Sequence, residues 1–392
     1  MIKWPVVSLS TLVEKVDYGV TASAIRIPSG PKFLRITDIQ NDSVDWEQVP
    51  WCEYDERSVQ RAQLEPGDIV FARTGATTGK SFLVRDCPAR AVFASYLIRI
   101  RVTDDIDPEY LAHFFKTPHY WTQISSNARG AAQLGVNAST LRTLKIPLPT
   151  LVEQRRIASI LNLANSLRLM RSRALNKLDD FIKADFSRMF GGDLVEGAKW
   201  PIRKIGDLLV SATYGTSEEA GEVGEFPVLR MGNITMRGEL DFSNLKYMDL
   251  SERDKKRYFV EQGDILFNRT NSPDLVGKTA LVRDSRKMAY AGYLIRLRAN
   301  SENDPAYIAA FLNSAYAKNV LRSMCKSIVG MANINAKQLQ LIKIPQPPLD
   351  LQREFSRHVD SIERLKAAHY AHLRKLDTLF ASLQHRAFRG EL

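Results

Sequence analysis

A chain of 392 residues exceeds what one ordinary hydrophobic core organises, and it suits two domains with connecting elements. The net charge of +11 favours a polyanionic partner, with solubility alone as the plain alternative. Cys52, Cys87 and Cys325 stand apart without a CxxC pair, which argues against a disulfide framework and a zinc site. Because the first ten residues lack a signal-peptide core and no apolar run approaches about 18 residues, we expect a cytoplasmic protein.

The chain opens twice in the same way. WPVVSLSTLVEKVDYG at residue 4 is matched by WPIRKIGDLLVSATYG at residue 200. Each segment reads as an extended stretch, a short amphipathic piece and then a Tyr-Gly turn, Tyr18-Gly19 or Tyr214-Gly215. The pairing indicates an internal duplication.

The next shared segments predict the β-structure of each half. PKFLRITDI and FPVLRMGNI read as short alternating strands, and each is predicted to carry an arginine, Arg35 or Arg230. LEPGDIVFARTGATTGKSFLVRD (64–86) and VEQGDILFNRTNSPDLVGKTALVRD (260–284) then predict a hairpin in which Gly-Asp leads into a strand, Arg-Thr opens a loop and Gly-Lys leads into a second strand. The strands agree between the copies and the tips differ.

Each half then continues with a strand, a capped helix and a closing loop. YLIRIRV and YLIRLRA predict strands, and DPEYLAHFF and DPAYIAAFL predict helices with aspartate at the N-cap and proline in the first turn. A polar loop and a short apolar strand close each half before a run of prolines. Each half is therefore expected to be a mixed α and β domain.

Two long helices are the most recognisable parts of the duplication. Positions 149–192 and 349–390 place apolar residues at helical spacing without an internal proline, and the first predicts a helix of roughly 60 Å at about 1.5 Å per residue. KLDDFIKADFSRMFGGDL at residue 177 returns as KLDTLFASLQHRAFRGEL at residue 375. One apolar stripe on each predicts that the helices lie against each other; the stripes are Ile157, Ile160, Leu161, Ala164, Leu167, Leu175, Leu178, Ile182 and Phe186, and Phe355, Val359, Ile362, Leu365, Leu373, Leu376, Leu379, Phe380 and Leu383.

Motifs of catalysis are not evident. GATTGKS resembles a phosphate-binding loop, but three residues separate Gly75 from Gly79 where the Walker pattern needs four, and the second copy has Ser272 at the first glycine. A strand follows rather than the helix that would hold the anion, so we interpret the motif as a hairpin loop.

His369 and His372 lack a third ligand and are predicted to lie on a solvated helix face. Without a methyltransferase Asn/Asp-Pro-Pro-Tyr motif or a nuclease carboxylate and lysine set, we predict a non-catalytic chain.

A paired set of arginines, lysines and amides remains, all placed at loops. These side-chain types reach guanine, adenine and phosphate, whereas a surface salt bridge or a role in a turn is the alternative for any one of them. The predicted DNA-binding residues are Arg35, Arg73, Thr74, Lys80, Arg129, Gln133 and Asn137 in the first half, and Arg230, Asn268, Arg269, Thr270, Lys278, Asn333 and Asn335 in the second.

In this arrangement the chain resembles the specificity (S) subunit of a Type I restriction-modification system over essentially its whole length. The residues that carry the resemblance are the two GDI-x-F-x-RT hairpins, the passages IPLPTLVEQRRIASIL and IPQPPLDLQREFSRHV, and the endings FGGDL and FRGEL. The resemblance implies two target recognition domains that each read one half of a bipartite DNA sequence, and two antiparallel spacer helices that set the gap and hold modification subunits. Gln133 aligns with Met331, so that site does not carry over to the second half.

The partners and cofactors follow from the same resemblance. It implies double-stranded DNA and two modification (methyltransferase) subunits as partners, with restriction (endonuclease and translocase) subunits as further candidates and no membrane. No cofactor is expected in this chain, and S-adenosylmethionine, ATP and Mg are expected only on partner subunits.

The predicted fold class is α+β, with two repeated mixed α/β target recognition domains separated by two long antiparallel α-helices in a pseudo-two-fold arrangement. The predicted segments are domain 1 (1–148), the central helix (149–192), domain 2 (193–346) and the C-terminal helix (347–392). The predicted function is recognition of an asymmetric bipartite DNA site. A coiled-coil scaffold or adaptor whose basic domains bind proteins is the alternative, and it would need aromatic and aliphatic anchors where these loops carry Arg, Lys, Asn, Gln, Thr and Gly.

Overall fold

The computed structural model describes residues 4–53, 55–127, 135–191, 199–272, 275–325 and 331–392. The chain divides into two compact units, of which unit 1 comprises residues 1–171 and 372–392 and unit 2 comprises residues 172–371. The boundary between the units therefore cuts both long helices. The four-segment division given above keeps each helix whole and stays a prediction.

The first domain begins unit 1 and alternates short strands with short helices. Turns of 3-10 helix lie at Leu9–Thr11 and Ile36–Asp38. The other elements are β1 (Val6–Ser8), β2 (Val13–Tyr18), β3 (Ala24–Ile25), β4 (Lys32–Leu34), β5 (Ile39–Gln40), β6 (Ser43–Val44), β7 (Trp51–Cys52), α1 (Glu56–Ala62), β8 (Ile69–Ala72), β9 (Ser81–Leu83), β10 (Ala91–Phe93), β11 (Leu97–Val102), α2 (Pro108–Phe114), α3 (Pro118–Asn127), α4 (Ala138–Thr143) and β12 (Lys145–Pro147).

The long helix α5 (Leu151–Phe190) leads to the second domain, which repeats most of this order, and the long helix α10 (Leu349–Ala387) follows it. Turns of 3-10 helix lie at Ile205–Leu208 and Met231–Asn233. The elements between the long helices are β13 (Ile202–Lys204), β14 (Leu209–Tyr214), β15 (Phe226–Leu229), β16 (Lys246–Met248), α6 (Glu252–Tyr258), β17 (Ile265–Asn268), β18 (Thr270–Asn271), β19 (Thr279–Leu281), β20 (Ala289–Tyr290), β21 (Leu294–Ala299), α7 (Pro305–Asn313), α8 (Ala315–Met324), β22 (Ala332–Asn333), α9 (Ala336–Gln340) and β23 (Lys343–Pro345).

Both domains contain the same four-stranded antiparallel sheet. Its order is β2-β11-β8-β9 in the first domain and β14-β21-β17-β19 in the second. Ile98 pairs with Tyr18 on one side and Phe71 on the other, and Ile295 pairs in the same way with Tyr214 and Phe267. The predicted hairpins are confirmed as β8–β9 and β17–β19. The register brings the Tyr-Gly turn and the loop of the hairpin to the same end of each sheet.

The strands predicted to carry Arg35 and Arg230 are shorter than expected, and this part of the prediction was wrong. They end at Leu34 and Leu229, and each arginine instead precedes a 3-10 turn. The reason is a side-chain acceptor three residues on, since the Arg35 backbone N–H donates to Asp38 Oδ2 at 2.8 Å and the Arg230 N–H donates to Asn233 Oδ1 at 2.9 Å. A local cap of this kind competes with strand pairing for the backbone donor.

The capped helices form as predicted. Asp107 accepts a hydrogen bond from Tyr110 N at 3.0 Å and is followed by Pro108, while Asp304 accepts from Ala306 N at 2.8 Å. The long helices begin soon after the predicted proline stops and span 40 and 39 residues. Two repeated α/β domains with two long helices confirm the predicted α+β fold class.

Within each unit the two long-helix segments run antiparallel. In unit 1, Arg168 Nε lies 2.6 Å from Asp377 Oδ1, and Arg156 Nη2 donates to the carbonyl of Leu392 at 2.9 Å. In unit 2, the pairs are Lys366 Nζ with Asp179 Oδ1 at 2.7 Å and His358 with Asp185. Both segments also enter the domain core of their unit, so each domain is closed by pieces of two helices.

The apolar stripes of the long helices were predicted only in part. Ile157, Leu161 and Phe355 are fully buried, but Leu167, Leu365 and Leu379 are exposed on the helix surface. Polar side chains occupy buried positions instead, among them Lys366, which is 2% exposed, and Asp179. The reason is that the helices contact domain loops as well as each other, so burial does not follow one stripe.

Three further findings concern the cysteines, metal ligands and helix hydropathy. The three cysteines are free thiols. Within the described residues, no group of His, Cys, Asp and Glu could hold a metal ion, and none of the helices is long and apolar enough to cross a membrane.

Candidate nucleic-acid interface

The two predicted hairpin arginines are fixed through their backbones. Arg73 and Arg269 directly follow β8 and β17. The Arg73 N–H donates to Tyr96 O at 3.0 Å, and its carbonyl accepts from Val136 N at 2.9 Å. In the same way, the Arg269 N–H donates to Tyr293 O at 3.1 Å, and the Arg269 carbonyl accepts from Ile334 N at 2.9 Å. The position of each arginine is therefore set by main chain on both sides, whichever loop sequence follows.

Each arginine lies over a tyrosine ring. The Arg73 guanidinium carbon is 5.0 Å from the centroid of Tyr18, and that of Arg269 is 4.9 Å from Tyr214. A guanidinium at that distance is attracted by the negative face of the ring and is held in one plane. We call these two pairs the Tyr–Arg platforms. Tyr18 is 44% exposed and Tyr214 is 41% exposed, so both rings are open to solvent on one part of their surface.

The tyrosines are themselves fixed by contacts far away in sequence. The Tyr18 hydroxyl accepts a hydrogen bond from Ala138 N at 3.2 Å, and the Tyr214 hydroxyl accepts one from Ala336 N at 2.8 Å. These are the first residues of α4 and α9, whose free N–H groups need acceptors. Each platform therefore joins a sheet strand, a hairpin and a helix N-terminus.

The glycine after each tyrosine has to be glycine. A Cβ built at Gly19 would collide with the carbonyl oxygen of Phe93, and one at Gly215 would collide with that of Tyr290. The strand that carries the tyrosine passes so close to a neighbouring backbone segment of the same chain that no side chain fits at the glycine. This explains why the glycine of the Tyr-Gly pair recurs in both halves.

The predicted asparagines before α4 and α9 cap those helices. Asn137 Oδ1 accepts from Thr140 N at 2.8 Å, and Asn335 Oδ1 accepts from Gln338 N at 2.9 Å. Both residues are exposed. The side-chain amide oxygens of the two asparagines thus cap the same helix N-termini that the tyrosine hydroxyls contact.

The platform arginines differ in charge pairing from the arginines inside the sheets. Arg101 and Arg298 are paired with Asp68 and Asp264 at 2.8 and 2.7 Å. Arg73, by contrast, has no carboxylate partner in the described part of the chain, and Arg269 contacts only the carbonyl of Gly292 at 3.4 Å and the Tyr214 ring. Arg269 Nε is also buried, and no described residue accepts a hydrogen bond from it. The positive charges at the platforms therefore remain available to an anionic ligand.

Several other predicted side chains are already engaged. Arg35 forms an ion pair with Asp38 at 2.7 Å, and the hydrogen bond that its guanidinium donates to this carboxylate raises the pKa of Arg35. Arg230 Nη2 donates to Asn244 O at 3.0 Å. Lys278 donates to the carbonyls of Met231 and Ile234, and burial lowers its pKa. A ligand would have to displace these contacts or use the remaining donors.

Asn268 and Thr270 are inaccessible in this conformation. Asn268 is 0% exposed, its Nδ2 donates weakly to Leu275 O at 3.4 Å, and its Oδ1 has no hydrogen-bond partner among the residues that the structure describes. Thr270 is buried in the β18–β22 pair. A buried side chain cannot reach a base edge, so we build the candidate interface without these two residues.

Of the remaining predicted residues, three are exposed and two lie outside the part of the chain that the structure describes. Thr74, Lys80 and Asn333 are exposed, with no side-chain hydrogen bond or ion pair to the described residues. Arg129 and Gln133 lie outside the described residues. The donors at equivalent places in both domains are thus the platform arginines and the side-chain NH2 groups of Asn137 and Asn335.

Sequence reasoning missed Tyr18 and Tyr214 as interface residues. It treated the Tyr-Gly pairs only as turns, although an aromatic residue at the same place in both copies was the available signal. Their contacts with Ala138 and Ala336 lie more than a hundred residues away, where no local pattern reaches.

Comparison with protein families gives two matches along the chain. The family model described as Type I restriction modification DNA specificity domain matches residues 3–178 and 198–375. The two matches follow the internal duplication, and each includes one Tyr–Arg platform.

Individual relatives resemble the chain over nearly its full length. It is 27% identical over 415 residues to the Type I restriction enzyme EcoKI specificity subunit of Escherichia coli (strain K12), covering 99% of this chain and 88% of that protein. It is 26% identical over 412 residues to the Type I restriction enzyme StySPI specificity subunit of Salmonella potsdam, with the same coverage. The crystal structure of the Type-I restriction-modification system S subunit from M. genitalium aligns with a TM-score of 0.58 at 16% identity, covering 99% of this chain and 96% of that one. At that identity the likeness establishes the fold.

Proposed function

Because the chain belongs to the family of Type I restriction-modification DNA specificity domains, we propose that each of its two domains reads one half of a bipartite DNA site. The observation that carries the proposal is the Tyr–Arg platform, present in both domains with matched distances. Arginine is the residue that most often reads guanine, because its planar fork donates two hydrogen bonds to O6 and N7. A guanidinium that is pre-set in one plane loses less entropy when it binds.

The two half-sites differ in sequence under this proposal. The scaffold around the platforms is repeated, but the surrounding side chains are not equivalent. Lys80 is exposed whereas Lys278 is tied to two carbonyls, and Thr74 is exposed whereas Thr270 is buried. The same frame therefore offers different donors in each domain, and the full target is asymmetric.

The long helices have two further roles in the proposal. They set the distance between the half-sites, since a helix of 40 residues spans about 60 Å. They also hold modification subunits, and this fits the large apolar side chains that lie exposed along them: Leu163, Met170, Phe181 and Leu365. We assign no catalytic step or cofactor to this chain, and we place S-adenosylmethionine, ATP and Mg on the partner subunits.

A salt series tests DNA recognition against the adaptor alternative. For binding of the purified chain to duplex DNA, log affinity should fall linearly with log salt, with a slope of about −0.9 for each phosphate that is neutralised. Lys80, which is exposed, is a candidate for such a phosphate contact. A protein-binding adaptor with an incidental positive charge would not discriminate between DNA sequences at any salt concentration. A flat salt response, or equal affinity for all sequences, would contradict the proposal.

A further inference from the structure

The loop of each hairpin accepts a hydrogen bond from a neighbouring helix, α3 or α8, through the carbonyl of one glycine, and we call this hydrogen bond the tie. We call residues 73–80 the first recognition loop and residues 269–272 and 275–278 the second recognition loop. In the first, the Tyr120 hydroxyl donates to Gly79 O at 2.6 Å. In the second, Lys318 Nζ donates to Gly277 O. Gly79-Lys80 and Gly277-Lys278 are equivalent in the duplication, so one contact is made twice with different chemistry.

The glycines make close contact with the helices that hold them. Both have positive φ, +84° for Gly79 and +79° for Gly277. A Cβ at Gly79 would lie 3.2 Å from the side chains of Trp121 and Ile124, and one at Gly277 would lie 2.6 Å from Leu321. The end of each loop thus lies flat on α3 or α8 because it has no side chain there.

The two donors differ in their response to protons. Tyr120 is fully buried, and burial raises its pKa further above the ordinary value, so it stays neutral. Lys318 has Asn313 Oδ1 at 3.1 Å as its second acceptor and no carboxylate partner in the described part of unit 2. The charged groups that face it are Lys278 from the loop and Arg322 from its own helix, both positive. Burial and these two cations lower the pKa of Lys318 to about 8.

We propose that Tyr120 and Lys318 are positioning residues that hold the two recognition loops, and that the lysine makes release of the second loop take up a proton. The proposal rests on the proposed function only where it assigns these loops to DNA recognition. Release hydrates the Lys318 amine, whose pKa then returns towards its ordinary 10.5. Between about pH 8 and 10.5 the released state binds more protons, so release is most favourable below pH 8 and becomes up to ~10-fold less favourable for each pH unit above it.

Hydrogen exchange without DNA tests the tie directly. The amides of Gly79 and Gly277 donate across the hairpin base, each at 2.8 Å, so their exchange reports loop release. Tyr120→Phe should speed exchange in the first loop alone, and Lys318→Met in the second alone, each by roughly two- to tenfold for one lost hydrogen bond. Equal effects in both loops, or no effect in either, would overturn the assignment.

The proton dependence has its own readout in the unaltered chain. After correction for intrinsic exchange, protection of Gly277 should rise from pH 8 to 9.5, while protection of Gly79 should not. Lys318→Arg should retain the tie but lose this rise, since arginine stays protonated. If Gly277 and Gly79 show the same profile, the proton-linked part of the proposal is refuted even if Lys318→Met does not fold.

Binding to DNA separates this proposal from the proposed function. Lys318→Met should reduce discrimination at one half-site and Tyr120→Phe at the other. If the exchange pattern appears but the unaltered chain does not distinguish DNA sequences, the tie stands and the proposed function fails. If the chain reads DNA but the exchange of neither loop changes, the tie fails alone.

Discussion

Arg73→Ala and Arg269→Ala should each weaken recognition of one half-site and leave the other unchanged. The two arginines lie in different units and in equivalent positions, so each variant is the matched control for the other. If each arginine contacts a guanine through two hydrogen bonds, its loss costs about 1–3 kcal/mol of discrimination, or roughly 5- to 150-fold in affinity.

The folding cost of these variants is expected to be small. Each side chain gives up one cation–π contact at about 5 Å, worth about 0.5–1 kcal/mol at an exposed site, and Arg269 also gives up its 3.4 Å contact with the carbonyl of Gly292. The backbone hydrogen bonds at Arg73 and Arg269 do not depend on the side chain. An effect on affinity therefore reports recognition rather than unfolding, and thermal denaturation checks this.

The assay needs the target sequence, which methylome sequencing of the host supplies. Fluorescence competition then compares the intact target with two targets in which one half-site is scrambled. Arg90→Ala removes an exposed arginine that is paired with Glu56 outside the recognition loops, and it serves as a control for charge. If Arg73→Ala or Arg269→Ala weakens binding equally for all three targets, that arginine contacts phosphate and the reading of guanine is refuted.

Two further predictions concern the long helices. Inserting four residues into both helices at the unit boundary, after Arg171 and after Ala371, adds about 6 Å to each helix and keeps the side-chain pairs of each unit in register. The preferred gap between half-sites should then lengthen by about one or two base pairs. If methylation mapping finds the original gap, the helices do not set it. Lys366→Met should lower the free energy of unfolding by up to about 3–5 kcal/mol, because it leaves Asp179 and Glu239 without the buried lysine that contacts both. In urea denaturation Lys183→Met, which removes an exposed pair with Asp180, should cost less than about 1 kcal/mol, and equal losses would contradict the argument.

Local chemical signals predicted the frame well. Asp107-Pro108 starts a helix because the carboxylate caps the residues that follow it directly, and the Gly-Asp and Gly-Lys pairs fix the hairpin from within. Arg35 was misplaced because Asp38 competes for its backbone N–H, which a strand pattern does not reveal. Asn268 looked like a loop amide because the alternation of residues cannot tell where a strand ends, and the strand includes it.

The contacts that shape the interface were beyond local reasoning. The Tyr–Arg platforms depend on Ala138 and Ala336, and the tie of the second loop depends on Lys318, which the sequence presents as one helix lysine among several. Such contacts follow from how separate elements pack. The duplication was the available guide, since a residue that recurs in both copies is held to its place by the same surroundings.

The split of unit 1 across the chain has a consequence for biosynthesis. Ala387 and Phe388 belong to the core of the first domain, where the Phe388 ring lies 5.1 Å from Tyr110 and 5.5 Å from Phe114. Synthesis of unit 1 therefore begins before that of unit 2 and is completed only after unit 2 has been made in full. A stop codon that removed residues 372–392 would leave a gap in the core of unit 1, while unit 2 would keep its core residues.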